Sequence, residues 1–171
     1  MLKPSEQQVN ISRSEQAWVA DITYLPLQDN EAYLSLVTYA WSRKIVGYHV
    51  DDNLKTDGVL TAYKRAQKQR QNKDKPLIHH SDRGIQYCSN VYQAVHAHHG
   101  VICSMTDGYD CSQNALAERV NGILKQELLT HKPATLEEAR QMVTEAVAIY
   151  NQRRSYLALK YKTLDKVYQA F

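Results

Sequence analysis

Apolar residues recur at two different spacings along this chain, and the change of spacing divides it. Between 17 and 50 they fall in short runs rich in β-branched and aromatic residues: AWVADITYLPL at 17–27, then 31–40 and 43–50 at hairpin-like spacing. QDN at 28–30 and Trp41-Ser42 supply turns, so three antiparallel strands are expected. Beyond 56 a helical period takes over. Asp57 is expected to cap a helix to about Gln71 with Val59, Leu60, Tyr63 and Ala66 inward and Lys64, Arg65 and Lys68 outward. A short buried strand at 76–80 follows, then a helix at 90–98 capped by Ser89 and ended by Gly100, and a fifth strand at 101–104. After a loop at 105–111, SQNALAERVNGILKQ at 112–126 forms a helix with Leu116, Val120, Ile123 and Leu124 inward. A last long helix from Thr135 buries Leu136, Ala139, Met142, Val143, Ala146 and Ile149. The order predicts an α/β fold: a five-stranded mixed sheet, three antiparallel strands and then parallel ones, flanked by helices.

Three acids break this pattern. Asp21 lies in an apolar strand whose two sides both look covered, where a carboxylate is costly without a partner. Taken alone it is either a hydrogen-bonded or Arg-paired core aspartate or a site residue. Asp82 directly follows the 76–80 strand and precedes Arg83-Gly84; Asp-x-Gly is an ordinary turn, but the carboxyl ends of parallel strands are also where ligands meet such sheets. Glu118 shares a polar helix face with Asn114, Asn121 and Lys125, and by itself reads as a solvated residue. With that helix packed back on the sheet, the three converge at one end. Their mutual repulsion is relieved most naturally by divalent cations, and oxygen-only ligands with room for water and phosphate describe two Mg²⁺ or Mn²⁺ ions and phosphoryl transfer.

Composition narrows the class. The 171 residues suffice for one domain, 17–171, behind a polar tail or linker at 1–16, and no apolar run or leader-like segment suggests a membrane or secretion. Three unpatterned cysteines favour a reducing compartment. The net charge of +3 is unevenly spread: 55–75 carries seven Lys or Arg and 153–166 carries five, which permits a phosphate-rich partner. His96, His98, His99, Cys103 and Cys111 do not have zinc spacing, and neither a nucleophilic triad nor a phosphate-cradling glycine loop is present. His80 either orients the acid site or packs at the strand end. Asp107 and Asp110 read as turn and cap residues, and the loop around Gly108 as a mobile flap.

Five segments, DITY at 21–24, SRKIVGY at 42–48, HSDRGIQY at 80–87, NALAERVNGILKQEL at 114–128 and YNQRRSYLAL at 150–159, resemble the catalytic core of bacterial insertion-sequence transposases of the IS-three type, relatives of retroviral integrase. The 35 residues between Asp82 and Glu118 match the interval of that family's acidic triad. The resemblance implies a ribonuclease H-like fold, with Asp21, Asp82 and Glu118 as the catalytic triad and metal ligands. It implies DNA contacts at Lys125, Arg119, Asn114 and Gln86. It also implies 3′-end cleavage and strand transfer on transposon ends and target DNA, a homo-oligomer in the active assembly, a place at the bacterial nucleoid in the cytoplasm, and an upstream DNA-binding segment that 1–16 cannot supply. Tyr39, Tyr156 and Leu164 depart from the aspartate, histidine and proline usual in relatives. Two other expectations are a non-catalytic DNA-binding or dimerisation remnant of a decayed element, and a ribonuclease H-like nuclease acting on RNA–DNA hybrids.

Overall fold

The alternation at 17–50 folds into three long strands, β1 (Ala17–Pro26), β2 (Glu31–Tyr39) and β3 (Ile45–Asp51), each antiparallel to its neighbour. The computed structural model describes residues 11–105, 111–152, 155–156 and 162–169. β4 (Leu77–Ser81) adds in parallel to β1, and β5 (Val101–Met105) in parallel to β4. The five-stranded sheet therefore has the order β3-β2-β1-β4-β5, with the first strand of the chain at its centre. Helices α1 (Thr56–Gln69), α2 (Ile85–Cys88) and α3 (Asn90–His98) make the connections to and from β4. After β5 come α4 (Cys111–Ile123), α5 (Leu136–Gln152), a two-residue pair β6 (Ser155–Tyr156) and β7 (Lys162–Thr163), and α6 (Leu164–Gln169).

Side chains alternate across β1, and the two faces meet different helices. Trp18 and Ala20 join Val59, Tyr63, Ala66, Tyr87 and Tyr92 beneath α1 and α3. Leu25 joins Val120, Leu124, Ala139, Val143 and Tyr150 from α4 and α5 on the other side. His79 and His96, the latter among the histidines without zinc spacing, sit against the first of these cores. His79 bonds the Tyr92 hydroxyl at 3.0 Å, and burial, with His96 beside it, holds its imidazole neutral well below the ordinary range. Gly47 allows α1 to lie on β3, since a Cβ there would stand 2.1 Å from the Ala62 carbonyl oxygen.

Several boundaries differ from the sequence pattern for identifiable reasons. α1 starts at Thr56 with Lys55 as its cap and no side-chain capping bond, so Asp57 lies inside the first turn and acts on the helix dipole. Ser89 does cap α3, accepting from the Tyr92 N–H at 3.2 Å. α5 turns Val147 and Tyr150 inward and leaves Ile149 exposed, because the stripe through Ala139, Val143 and Ala146 continues to residue 150. The helix expected at 112–126 widens to a π turn at Leu124–Leu128, closed by a Leu129 N–H to Leu124 carbonyl bond of 2.8 Å. The expected flap, with Asp107, Gly108 and Asp110, lies outside the described residues.

The described part of the polar segment at 1–16 is built into the core. Glu15 is 2% exposed and accepts from the hydroxyls of Tyr39 (3.1 Å) and Tyr168 (2.6 Å) and from the N–H groups of Gln71 and Asn72 (2.8 and 2.7 Å). Tyr39, the departure from the usual aspartate, thus completes a site for this carboxylate, and Leu164, the departure from proline, is fully buried. Burial opposes ionisation of Glu15, but the bonds from Gln71, Tyr168 and Asn72 outweigh it and its pKa lies below the ordinary value. Its stabilisation is present above the unfolded-state pKa and is lost as pH falls through the lowered one. Glu15→Gln is expected to cost about 2 kcal/mol in urea denaturation at pH 7 and less at pH 3; an equal loss at both would show that the charge contributes nothing.

Candidate active site

Asp21 and Asp82 are brought together by strand register. β1 and β4 pair in parallel with Trp18 opposite His79 and Val19 opposite His80, and two further residues along the same register bring Asp82 abreast of Asp21 where the strands separate. Neighbouring strands lie about 4.8 Å apart. Trp18 and His79 face the α1–α3 side, so by alternation Asp21 and Asp82 face the α4 side together. The Gly84 N–H donates to Asp82 Oδ1 at 2.9 Å, and a Cβ on Gly84 would stand 2.9 Å from that same oxygen, so the D-R-G turn fixes the carboxylate and a larger residue at 84 would displace it.

α4 covers this pair and contributes Glu118 on its exposed surface. Asn121, one turn further on, is 8% exposed, and its Nδ2 donates to Asp21 Oδ2 at 2.5 Å. Its Oδ1 is buried without a partner among the described residues. Burial, with Asp82 and Glu118 adding to it against the Ile22 N–H and Asn121 bonds, pushes the Asp21 pKa up to about 6. Both acids therefore act electrostatically on Asp21. Lys125, at the start of the π turn, has its ammonium pKa lowered by burial and held up by Asp21, which places it in the same field.

The other sequence-derived positions distribute differently. Gln86 lies in α2, and its amide donates to the Leu54 carbonyl at 2.8 Å, tying the turn after Asp82 to the start of α1. Arg119 is exposed on α4 beside Glu118. Asn114 is in α4, but its side chain lies outside the described residues, as does that of Cys111. His80 faces the acid side, where its Nδ1 meets Ser104 Oγ at 3.1 Å across to β5. Asn121 is the residue whose role the sequence did not show. Its spacing of three from Glu118 was visible, but only the packing of α4 on β1 aims it at Asp21.

Among the described residues no three His, Cys, Asp or Glu side chains form a preassembled metal-ligand cluster. The donor set nevertheless fits hard divalent cations: it is all oxygen, its central carboxylate is made costly to ionise by burial and then by its acidic neighbours, and a buried amide oxygen beside it lacks a donor among the described residues.

Residues 12–111 match the integrase core domain family, and 99–163 match a second integrase core domain description. The chain belongs to the integrase core domain family. This integrase core is 36% identical over 147 residues to a Mycobacterium tuberculosis protein assigned as transposase of insertion sequence element IS986/IS6110, covering 81% of the chain and 52% of that protein. It is 32% identical over 143 residues to the transposase of insertion sequence element IS629 from Shigella sonnei, covering 83% and 48%. The chain spans about half the length of the curated relatives it matches. Among solved structures, the HTLV-2 integrase catalytic core domain in complex with magnesium superposes with a TM-score of 0.71 at 19% identity, over 90% of this chain and 96% of that one. A simian T-cell lymphotropic virus intasome chain gives 0.75 at 17% identity, over 90% and 54%. The five-stranded mixed sheet is thus the ribonuclease H-like fold of retroviral integrase cores.

Proposed function

We propose that this integrase core is the catalytic part of an insertion-sequence transposase of the IS-three type, a polynucleotidyl transferase and endonuclease that cleaves DNA to a free 3′-hydroxyl and joins that end to a second DNA phosphate. The observation that carries the reading is the Asp21–Asp82 pair on adjacent parallel strands, facing the helix that bears Glu118 and Asn121. Asp21, Asp82 and Glu118 are the residues that would hold two Mg²⁺ or Mn²⁺ ions. Bound there, the metals supply Lewis-acid activation of the attacking oxygen and stabilise the leaving one.

The chain's own groups prepare that step. Asn121 holds the Asp21 carboxylate in one orientation and favours its ionised form. The Gly84 N–H fixes the orientation of the Asp82 carboxylate. Lys125 supplies a cation to a phosphate lying against the acids. In cleavage, the oxygen of water bonds to phosphorus and the 3′-oxygen leaves with a proton. In joining, that hydroxyl gives up its proton and attacks the second phosphate, displacing a bridging oxygen. The substrates are transposon ends and target DNA, in a homo-oligomeric assembly at the bacterial nucleoid in the cytoplasm. No described helix is long and apolar enough to cross a membrane.

The test is Mn²⁺-dependent processing of a terminal-repeat duplex, a random duplex and an RNA–DNA hybrid of equal length. Cleavage and joining confined to the DNA ends supports the proposal. Preferential cleavage of the hybrid makes the chain a ribonuclease H-like nuclease, and DNA binding with no Mn²⁺ affinity makes it a non-catalytic remnant.

A further inference from the structure

Two segments far apart in the chain close on one carboxylate. Glu15, just ahead of β1, has φ 57°, a left-handed backbone that a residue with a side chain keeps only where its surroundings fix it. The fixing groups come from three other places. The hydroxyls of Tyr39 at the end of β2 and Tyr168 in α6, with the Gln71 N–H, all donate to Oε1, and the Asn72 N–H donates to Oε2. Tyr168 also donates to the Gln69 carbonyl at 3.3 Å and stacks on Tyr39 with ring centroids 5.3 Å apart. Lys44 lies 4.5 Å from the centre of the Tyr168 ring and pairs with Asp165 at 2.9 Å, so α6 is oriented on the same spot. The Ser12 N–H bond to Gln16 Oε1 and the Arg13 bond to the Ser14 carbonyl, by contrast, stay inside the entry segment. A cavity of about 220 Å³ has Glu15 and Tyr168 in its wall together with Arg13 and Lys75, so water can take over the carboxylate once either side withdraws.

We propose that residues 12–16 and α6 form a latch that closes on Glu15 and opens as one unit, separately from the rest of the core. When Tyr168 withdraws, Oε1 loses a donor, the left-handed backbone at Glu15 relaxes, and the Gln71 and Asn72 N–H groups are released. When Glu15 withdraws, Tyr168 loses its acceptor, and α6, six residues long, is too short to persist undocked. The sheet does not need the latch. β1 is held to β2 by a continuous ladder from Trp18 to Pro26, and the acid pair lies past the Val19–His80 pairing, at the end of β1 and β4 away from Glu15. The contact is particular to this chain, because the aspartate usual in relatives at 39 would set a second carboxylate against Glu15 where Tyr39 supplies a donor. Closed, the latch fixes the path by which the chain enters β1 relative to its last helix; open, the two move independently. It takes no part in the proposed chemistry.

The experiment is amide exchange followed by NMR in the 171-residue chain at pH 7, over urea concentrations below the unfolding transition. In the unaltered chain, Gln71, Asn72 and the amides of α6 should share one opening equilibrium, with a weaker urea dependence than the amides of β1 and β4. Tyr168→Phe keeps the ring stack and removes the donor. It should speed exchange of that whole set, Gln71 and Asn72 included, on the order of tenfold, with β1, β4 and the Asp21 titration unmoved. Glu15→Gln should speed the same set by more. Acceleration confined to α6 in Tyr168→Phe would overturn the proposal, since the two segments would then open independently. Equal acceleration through β1 and β4 overturns it as well, because the opening would be global unfolding. If Tyr168→Phe does not fold, the urea series on the unaltered chain decides alone: Gln71 and Asn72 following a different urea dependence from α6, or all of them following that of the sheet, overturns the latch. These measurements use neither metal nor DNA, so their failure is distinct from failure of the transposase reading.

Discussion

Asp82→Asn is expected to abolish Mn²⁺-dependent cleavage and joining, with a loss of at least about 10³-fold, corresponding to roughly 4 kcal/mol of transition-state stabilisation. Asparagine keeps the shape and still accepts from the Gly84 N–H, so the D-R-G turn should hold and the change isolates the charge. The same substitution has a signature that does not depend on turnover. Asp82 is one of the charges that raise Asp21, so removing it should bring the Asp21 pKa down from about 6, though burial keeps it above the ordinary aspartate value. Mn²⁺ affinity measured by calorimetry should fall with activity. Undiminished joining, or an Asp21 titration that does not move, would remove Asp82 from the site.

Asn121→Leu should have the next largest effect, through Asp21 rather than through lost packing. Leucine keeps the branched shape in a somewhat larger side chain and removes both the donor to Asp21 and the unpartnered buried Oδ1, so the lost bond and the relieved oxygen offset and stability should change little. Losing one bond to a charged acceptor, worth about 1.5 kcal/mol, moves the Asp21 pKa from about 6 to roughly 7. The sign follows from the raised pKa. The folded apo protein favours protonated Asp21, so this group's contribution to stability is full below the unfolded-state pKa and is lost as pH rises through about 6. A metal needs the ionised form, so Mn²⁺ affinity grows across the same interval. In the variant that growth shifts about one pH unit upward, giving several-fold weaker Mn²⁺ binding at pH 6.5 and a smaller deficit at pH 8.5. A pH profile of Mn²⁺ affinity with an unshifted midpoint would reduce Asn121 to a packing residue.

Local pattern determined much of this protein. The period-two runs at 17–50, the Ser89 cap and the spacing of the later helices were enough for a five-stranded mixed sheet, because side-chain direction along a strand or helix is set by backbone geometry alone. An acid in an apolar strand was likewise legible in Asp21, since the cost of burying a charge is local. Other features depended on contacts between residues distant in sequence. Glu15 reads as part of a polar tail until Tyr39, Gln71, Asn72 and Tyr168 surround it. Ile149 and Tyr150 fit the α5 stripe equally well until the phase of the helix on β3 buries one of them. Arg65 reads as a solvated helix residue until the edge of β3 offers it a carbonyl. At the acid site the sequence supplied Asp21, Asp82 and Glu118 as candidates, and tertiary structure added their physical state. The parallel register of β1 and β4 set the two aspartates side by side, and the packing of α4 aimed Asn121 at one of them, so that a carboxylate titrating near pH 6 arises from residues 100 positions apart.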